Sequence, residues 1–399
     1  MSDHPPVRDW ENDFDHVDPA WSKDPFPIWD ELRSGCPVAH SDRYGGVWLP
    51  TRHADVSQIA YDTEHFTSQG VVVSEGRPEE PRPIGGAPPI TSDPPFHALA
   101  RRLLLPAFAP KAVAALEGRT RDLCRGLLAG IGQASHCDGA RDYAQHIPVG
   151  VIAHQLGLPI ADAELFRHFV HGVLETVDRP PEEREQTFAE LENYLDDHIA
   201  ARGDDRSDDL IDYLLHAEIA GNRLQPEHVR GTALLLLIAG IDTTWSAIGA
   251  SLWHLAGHPD DQRRLRAEPE LMDSAVEEFL RAYAPVTMAR LVAEPVDVGG
   301  RSMQPGEWVL LPFPAANRDP AHFERPDEVL LDRAENRHAA FGLGIHRCVG
   351  SNLARMEVRV ALEEFLAAMP PFALADPDAV TWSVGQVRGP RSLPLVLSR

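Results

Sequence analysis

Phe341-Gly342-Leu343-Gly344-Ile345-His346-Arg347-Cys348-Val349-Gly350 sets a single cysteine in a glycine-bracketed loop directly ahead of a helical run. Gly342 and Gly344 lack a Cβ, so the backbone can turn sharply and lie against a flat object, with Phe341 as one apolar wall. From Ser351 onward Leu353, Met356, Val360 and Leu362 recur at helical spacing. That pattern places Cys348 at a helix N-terminus, where unpaired amides and the macrodipole favour negative charge. The helix alone does not suffice. A thiol with an ordinary pKa of about 8.5 needs roughly 2 kcal/mol to ionise at neutral pH, and a helix terminus supplies at most that much. A coordinated metal deprotonates a thiol outright. The loop therefore reads as a thiolate ligand for an iron; the plainer alternative, an inert buried cysteine, leaves the phenylalanine, the glycines and the helix unexplained.

A second group lies at Ala239-Gly240-Ile241-Asp242-Thr243-Thr244, which interrupts an apolar helix. Glycine costs about 1 kcal/mol against alanine in a helix, and a buried unpaired carboxylate costs more. Violations of this kind mark functional sites, since small residues leave room for a ligand and a hydroxyl can bond back to a carbonyl and open the turn. A water-satisfied kink is the bland alternative. In Asp93-Pro94-Pro95-Phe96-His97-Ala98-Leu99-Ala100-Arg101, His97 and Arg101 are four apart and share one helix face, where they can grip one anion or form a solvated basic surface. Glu278 and Arg281, three apart, are surface neighbours on another helix and would by themselves suggest an exposed pair.

These residues need a frame. Pro226 suits a first helical turn and Gly257-His258-Pro259 a stop, so residues 226–256 predict one helix of roughly 45 Å, apolar all round at Leu234-Leu235-Leu236-Leu237-Ile238 and so central. Another helix is expected between Pro269 and Pro285, with short ones over 24–32 and 51–60 flanking a hairpin at 45–49. Residues 67–96, rich in Gly and Pro, predict a long irregular loop, either a lid or a surface insertion. Residues 296–313 read as a hairpin turning at Gly299-Gly300, and 385–398 as a terminal hairpin.

The 399 residues carry no low-complexity linker or internal repeat, which predicts one unit. Met1-Ser2-Asp3-His4-Pro5-Pro6 lacks signal-peptide character, and the apolar stretch around 233–241 is far short of the ~20 residues that span a bilayer, so a cytoplasmic protein without a membrane partner is expected. Cys36, Cys124, Cys137 and Cys348 show no CxxC spacing, against a zinc site or disulfide framework. The net charge of -24 argues against nucleic acid or anionic lipid as a partner.

As written, Phe-Gly-x-Gly-x-His-Arg-Cys-x-Gly closely resembles the haem-binding loop of the cytochrome P450 family, and four further motifs follow that family's order over nearly the whole chain. The resemblance implies a single haem-binding monooxygenase domain over 1–399, mainly α with small β-sheets, its long helix crossing the haem. Cys348 would be the axial ligand of haem b, with Phe341, Gly350 and Ala239 against the ring and His97, Arg101, Arg290 and His346 on its propionates. Asp242 and Thr243 match the acid and alcohol that deliver protons for oxygen activation. Glu278, Arg281 and Arg333 match a structural ion-pair group. Leu235, Ile238, Val286, Thr287, Met288, Gln386 and Val387 would line the substrate pocket, closed by Val71 to Val73 and by Phe169, Val173 or Leu174. At Met288 some relatives carry a polar residue near a propionate.

The implied reaction is hydroxylation or O-demethylation of a small to medium hydrophobic substrate, with electrons from NAD(P)H through a separate ferredoxin and its reductase, unless the chain is a piece of a self-sufficient fusion. Two other classes remain: a peroxide-driven peroxygenase, whose known members generally lack an acid-alcohol pair, and a non-enzymatic haem-thiolate sensor, which has no need of one.

Overall fold

The computed structural model describes residues 5–73, 86–176, 181–202 and 207–398, so part of the expected lid, 74–85, lies outside the described residues. The architecture is built on one helix, Pro226–Gly257, with Pro226 in its first turn. At 1.5 Å per residue its 32 residues run about 48 Å. Apolar side chains on every face force it into the middle, and its most apolar window is 78% buried inside the fold, which marks a core helix rather than a membrane span. Helices His146–Leu156, Ala163–Leu174 and Ser351–Ala368 pack around it through Ile152, Phe166, Val170, Val358 and Phe365 in one continuous core. Close approach is written into Gly231, where a Cβ would come within 2.4 Å of the Gly86 carbonyl, so the returning end of the 67–96 segment lies directly on the long helix.

A five-stranded sheet flanks this helical body in the order Val38–Ser41, Val47–Pro50, Trp308–Pro312, Thr287–Val292, Phe66–Thr67. Its pairs are antiparallel except Trp308–Val309 beside Val47–Trp48. Alternation along the strands separates two small cores. Trp308, Leu310, Ala289 and Leu291 meet Trp21, Trp29 and Leu32 on one face, whereas Val309, Leu311 and Val292 meet Val56, Ile59 and Phe66 on the other. Leu343, from the cysteine loop, packs on the second face, so this sheet holds the loop in place.

The short helices form at Phe26–Gly35 and His53–Tyr61 around the Val38–Ser41/Val47–Pro50 hairpin. Val296–Val298 and Arg301–Met303 make the expected hairpin, with Gly299 and Gly300 at φ 56° and 81°, but Trp308–Pro312 leaves it to enter the main sheet. The terminal hairpin expected over 385–398 does not form. Pro390–Ser392 pairs with Thr381–Trp382, and Pro394–Leu397 lies between Phe372–Leu374 and His136–Asp138. Asp138 decides this by accepting from Ser392 Oγ at 2.7 Å and the Leu393 amide at 2.9 Å, which splits the segment into two strands for two sheets.

Candidate functional site

The cysteine loop is folded by its own backbone. The Cys348 amide donates to the Phe341 carbonyl at 2.7 Å, and Gly342 and Gly344 take φ of 70° and 67°. Gly344 has no substitute, because a Cβ there would stand 2.1 Å from the Ala60 carbonyl oxygen. The Ser351–Ala368 helix starts three residues past the cysteine with Gly350 as N-cap, and the Gly350 amide faces the sulfur. Cys348 keeps accessible surface although protein encloses it, as a side chain does when it faces an internal cleft. Burial raises its thiol pKa, against the pull of the Gly350 amide, Arg101, Arg347 and Arg355. The thiol thus waits on a metal for ionisation, as the helix arithmetic required.

The long helix supplies a second wall. Between His228 and Ala256 it is almost wholly buried, yet Ala239 is exposed and Leu235, Gly240 and Thr243 are half-exposed. Residues 235, 239 and 243 stand four apart on one stripe, so an open cleft runs along this helix inside the molecule. Thr243 Oγ donates to the Ala239 carbonyl at 2.8 Å, the back-bond expected of a hydroxyl here, and the helix continues unbroken. Asp242 points away from the stripe and has no exposed surface, while Thr244 is buried.

Four basic side chains gather at one edge. His97 and Arg101 come from the Phe96–Leu104 helix, Arg290 from Thr287–Val292 and His346 from the cysteine loop. The His97 and His346 rings lie 4.3 Å apart, His346 Nε2 bonds Ser68 Oγ at 2.8 Å, and His97 Nε2 is buried without a partner. Arg290, almost fully buried, donates to the Ala289 carbonyl at 2.7 Å. Burial pushes His346 down to about 2, helped by Arg290, His97 and Arg101, and pushes Arg290 down to about 10. His97 is lowered by burial and by the same arginines. Asp93 opposes them, but its carboxylate is held by the Ser68 amide at 2.9 Å and by the Thr67 hydroxyl. Such crowding of like charge calls for an anion. A thiol wall, a small-residue helix wall and a cationic edge together fit a flat, anionic ring carrying a metal, and therefore fit haem b.

Glu278 and Arg281 are both 0% exposed, contrary to the ordinary surface reading of their spacing. Arg281 gives Glu278 two bonds of 2.8 Å, and Glu278 also accepts from the Leu330 amide at 2.8 Å, Arg333 Nε at 2.9 Å and Asn336 at 3.2 Å. Arg281 donates its remaining protons to the carbonyls of Asn317, Pro326 and Glu328. The group pins the 317–336 meander, and with it the approach to the cysteine loop, to the Met272–Ala282 helix.

Three placements differ from expectation. Thr287 and Gln386 turn toward a small cavity lined by Trp21, Phe26, Trp29 and Trp382, and Gln386 also donates to the Val71 carbonyl. The reason for Thr287 is strand alternation, which puts it opposite Met288 and Arg290. Val286 and Val387, joined by a bridge, Met288 and Leu235 are better placed for the cleft wall, with Ile238 buried behind them. Val73 is buried in the small core with Trp21 and Trp29 rather than at the cleft. On the cysteine side, Arg355 is neutralised by Glu277 and Arg359 by Glu117 and Glu363, so the basic surface reduces to Arg102, Lys111 and Arg347.

Arg391 and Glu175 went unseen in the sequence. Arg391 Nη2 holds Asp242 at 2.5 Å and its Nε holds Glu175 at 2.7 Å. No local pattern marks Arg391; only the rule that a buried carboxylate needs a cation predicted that some such residue must arrive.

The family model described as Cytochrome P450 matches residues 152–369. Vitamin D(3) 25-hydroxylase of Pseudonocardia autotrophica is 36% identical over 88% of this chain and 88% of its own length. Nocardicin C N-oxygenase of Nocardia uniformis subsp. tsuyamanensis is 36% identical over 87% and 89%. Among solved structures, CYP109E1 from Bacillus megaterium in complex with testosterone superposes with a TM-score of 0.87 at 31% identity, covering 95% of this chain and 99% of that one.

Proposed function

The chain belongs to the cytochrome P450 family, whose members are haem b monooxygenases, and on that premise we propose that it inserts one oxygen atom into a small to medium hydrophobic substrate by hydroxylation or O-demethylation. The observation that carries this reading is the open stripe on the long helix, where Ala239 and Thr243 face a cleft and Asp242 stands buried behind them. Haem, when bound, supplies the activation of dioxygen with two electrons.

The remaining roles belong to the chain, taken here as one domain over 1–399. Cys348 donates the thiolate, which the Gly350 amide holds, and Phe341 covers one side of the loop. His97, Arg101, Arg290 and His346 neutralise the two propionates, relieving their mutual repulsion. Ala239 leaves the space above the ring clear. Thr243 exchanges its back-bond to the Ala239 carbonyl for a water or a distal oxygen atom, and Asp242, with Oδ2 unpartnered, gives protons from behind.

Leu235, Val286, Met288 and Val387 make the cleft wall apolar, which selects hydrophobic substrates. The substrates named for the relatives, vitamin D(3) and nocardicin C among them, differ widely, so the class rests on this wall. Arg102, Lys111 and Arg347 offer a basic docking surface on the cysteine side, suited to an acidic ferredoxin that carries electrons from an NAD(P)H-dependent reductase in the cytoplasm.

Thr243→Ala tests the reading. Haem content and nicotinamide consumption are expected to persist while product falls and hydrogen peroxide rises. Full coupling of consumption to product in that variant would refute proton delivery through Thr243.

A further inference from the structure

Asp242 has one carboxyl oxygen on Arg391 and the other without a partner. Arg391 is clamped: Nη2 donates to Asp242 at 2.5 Å, Nε to Glu175 at 2.7 Å and Nη1 to Ser246 Oγ at 3.1 Å, with the guanidinium 4.2 Å from the Trp245 ring centroid. It has little freedom to retreat. Gly389 passes so near Ser246 that a Cβ would come within 2.3 Å, and Pro390 abuts Gly249. Glu175 in turn faces His171, 3.6 Å away at the surface, with a side chain 54% exposed. From neighbouring elements, Arg141 reaches the Arg391 carbonyl at 3.3 Å, Asp138 holds Ser392, and Thr187 lies against Gly172.

The charge count is decisive. One fixed cation against two carboxylates leaves an uncompensated negative charge in a buried place, which costs several kcal/mol. Two arrangements with the same number of protons are neutral: Asp242 protonated with His171 neutral, or Asp242 ionised with His171 protonated. We propose that Arg391, Glu175 and His171 are positioning residues that form a charge-balanced cluster with Asp242, in which His171 gains a proton from solvent as Asp242 releases its own toward the cleft. In that exchange the O–H bond of Asp242 breaks and an N–H bond forms on His171, so the Ala163–Leu174 helix sets the protonation of the buried acid from its surface. The directions agree. Burial holds Asp242 up at about 7 and Glu175 adds to this, while Arg391 and His171 pull it down; burial raises Glu175, but His171 and Arg391 outweigh it and leave it ionised.

This inference rests on the reading of Asp242 as a proton donor, and the two fail separately. The measurement is the carboxyl C=O stretch lost in Asp242→Asn, titrated by infrared difference spectroscopy in the ferric holoenzyme without turnover. Glu175→Gln removes a like charge and is expected to lower the Asp242 midpoint by about one pH unit, tenfold in proton affinity. His171→Gln and Arg391→Gln each remove a cation and are expected to raise it, with Arg391→Lys close to wild type should the glutamine variant fold poorly. Midpoints unmoved in Glu175→Gln and His171→Gln overturn the cluster. If Asp242→Asn itself leaves coupled turnover unchanged, the proton-donor reading falls, whatever the midpoints.

Discussion

Arg281→Ala removes the residue on which the most buried hydrogen bonds converge around the cysteine loop. The substitution strips two of the five donors from Glu278 and leaves the carbonyls of Asn317, Pro326 and Glu328 without the guanidinium that now satisfies them. Breaking a buried ion pair from one side costs about 3–5 kcal/mol. Arg333, Asn336 and the Leu330 amide remain on Glu278, which moderates the loss, while the orphaned carbonyls and the lost packing on Phe323 add to it. The expected value is about 4 kcal/mol, a large share of the roughly 5–15 kcal/mol of a typical domain. Burial pushes the Glu278 carboxyl up, but Arg281 outweighs this and holds it below its ordinary 4.5. The stabilisation is therefore present above that value and lost as pH falls through the folded pKa, so the cost of Arg281→Ala should shrink in acid. Urea unfolding of the haem-loaded protein, followed by circular dichroism at neutral and acid pH, measures this. Arg281→Lys, which keeps the charge but not the fork, should lose about half as much. A loss below about 1 kcal/mol for Arg281→Ala would mean that the network contributes nothing beyond a surface pair.

Glu357 is buried on the Ser351–Ala368 helix with Oε2 unpartnered, and burial raises it to about 8. Its folded pKa lies above its ordinary 4.5, so stability should fall as pH rises from that value toward 8; Glu357→Gln should flatten this slope by a few kcal/mol in melts at pH 5 and pH 8, and equal slopes would refute it. Charge reversal at Arg102 and Arg347 should slow reduction by an acidic ferredoxin, more so at low salt, since attraction is screened within about 10 Å at 0.1 M. The same reversal at Arg355 or Arg359, both already paired with acids, should change stability more than reduction. Stopped-flow reduction across a salt series separates the two, and rates that ignore both salt and Arg102/Arg347 would place the docking surface elsewhere.

Much of the frame was legible because its signals are local. The long helix shows in a run apolar on all sides between Pro226 and Gly257, and the cysteine loop in glycines whose positive φ and contact with Ala60 exclude any side chain. The anion site was half legible: the i, i+4 spacing brought His97 and Arg101 together, but Arg290 and His346 join them only through the sheet and the loop. What escaped depends on partners remote in sequence. Asp138 divides the C-terminal segment between two sheets, strand alternation turns Thr287 from the cleft, and Arg391 reaches Asp242 across 149 positions. A hydropathy pattern records which face is buried and not which distant residue meets it.

The ferrous carbon monoxide spectrum of the haem-loaded protein and of Cys348→Ser tests the central claim most directly. A thiolate opposite carbon monoxide red-shifts the Soret band through its electron donation, so the wild type should show the shifted band and Cys348→Ser should bind haem without it. A shifted band that survives in Cys348→Ser, or that is missing from the folded wild-type holoprotein, would contradict the assignment of Cys348 as the iron ligand.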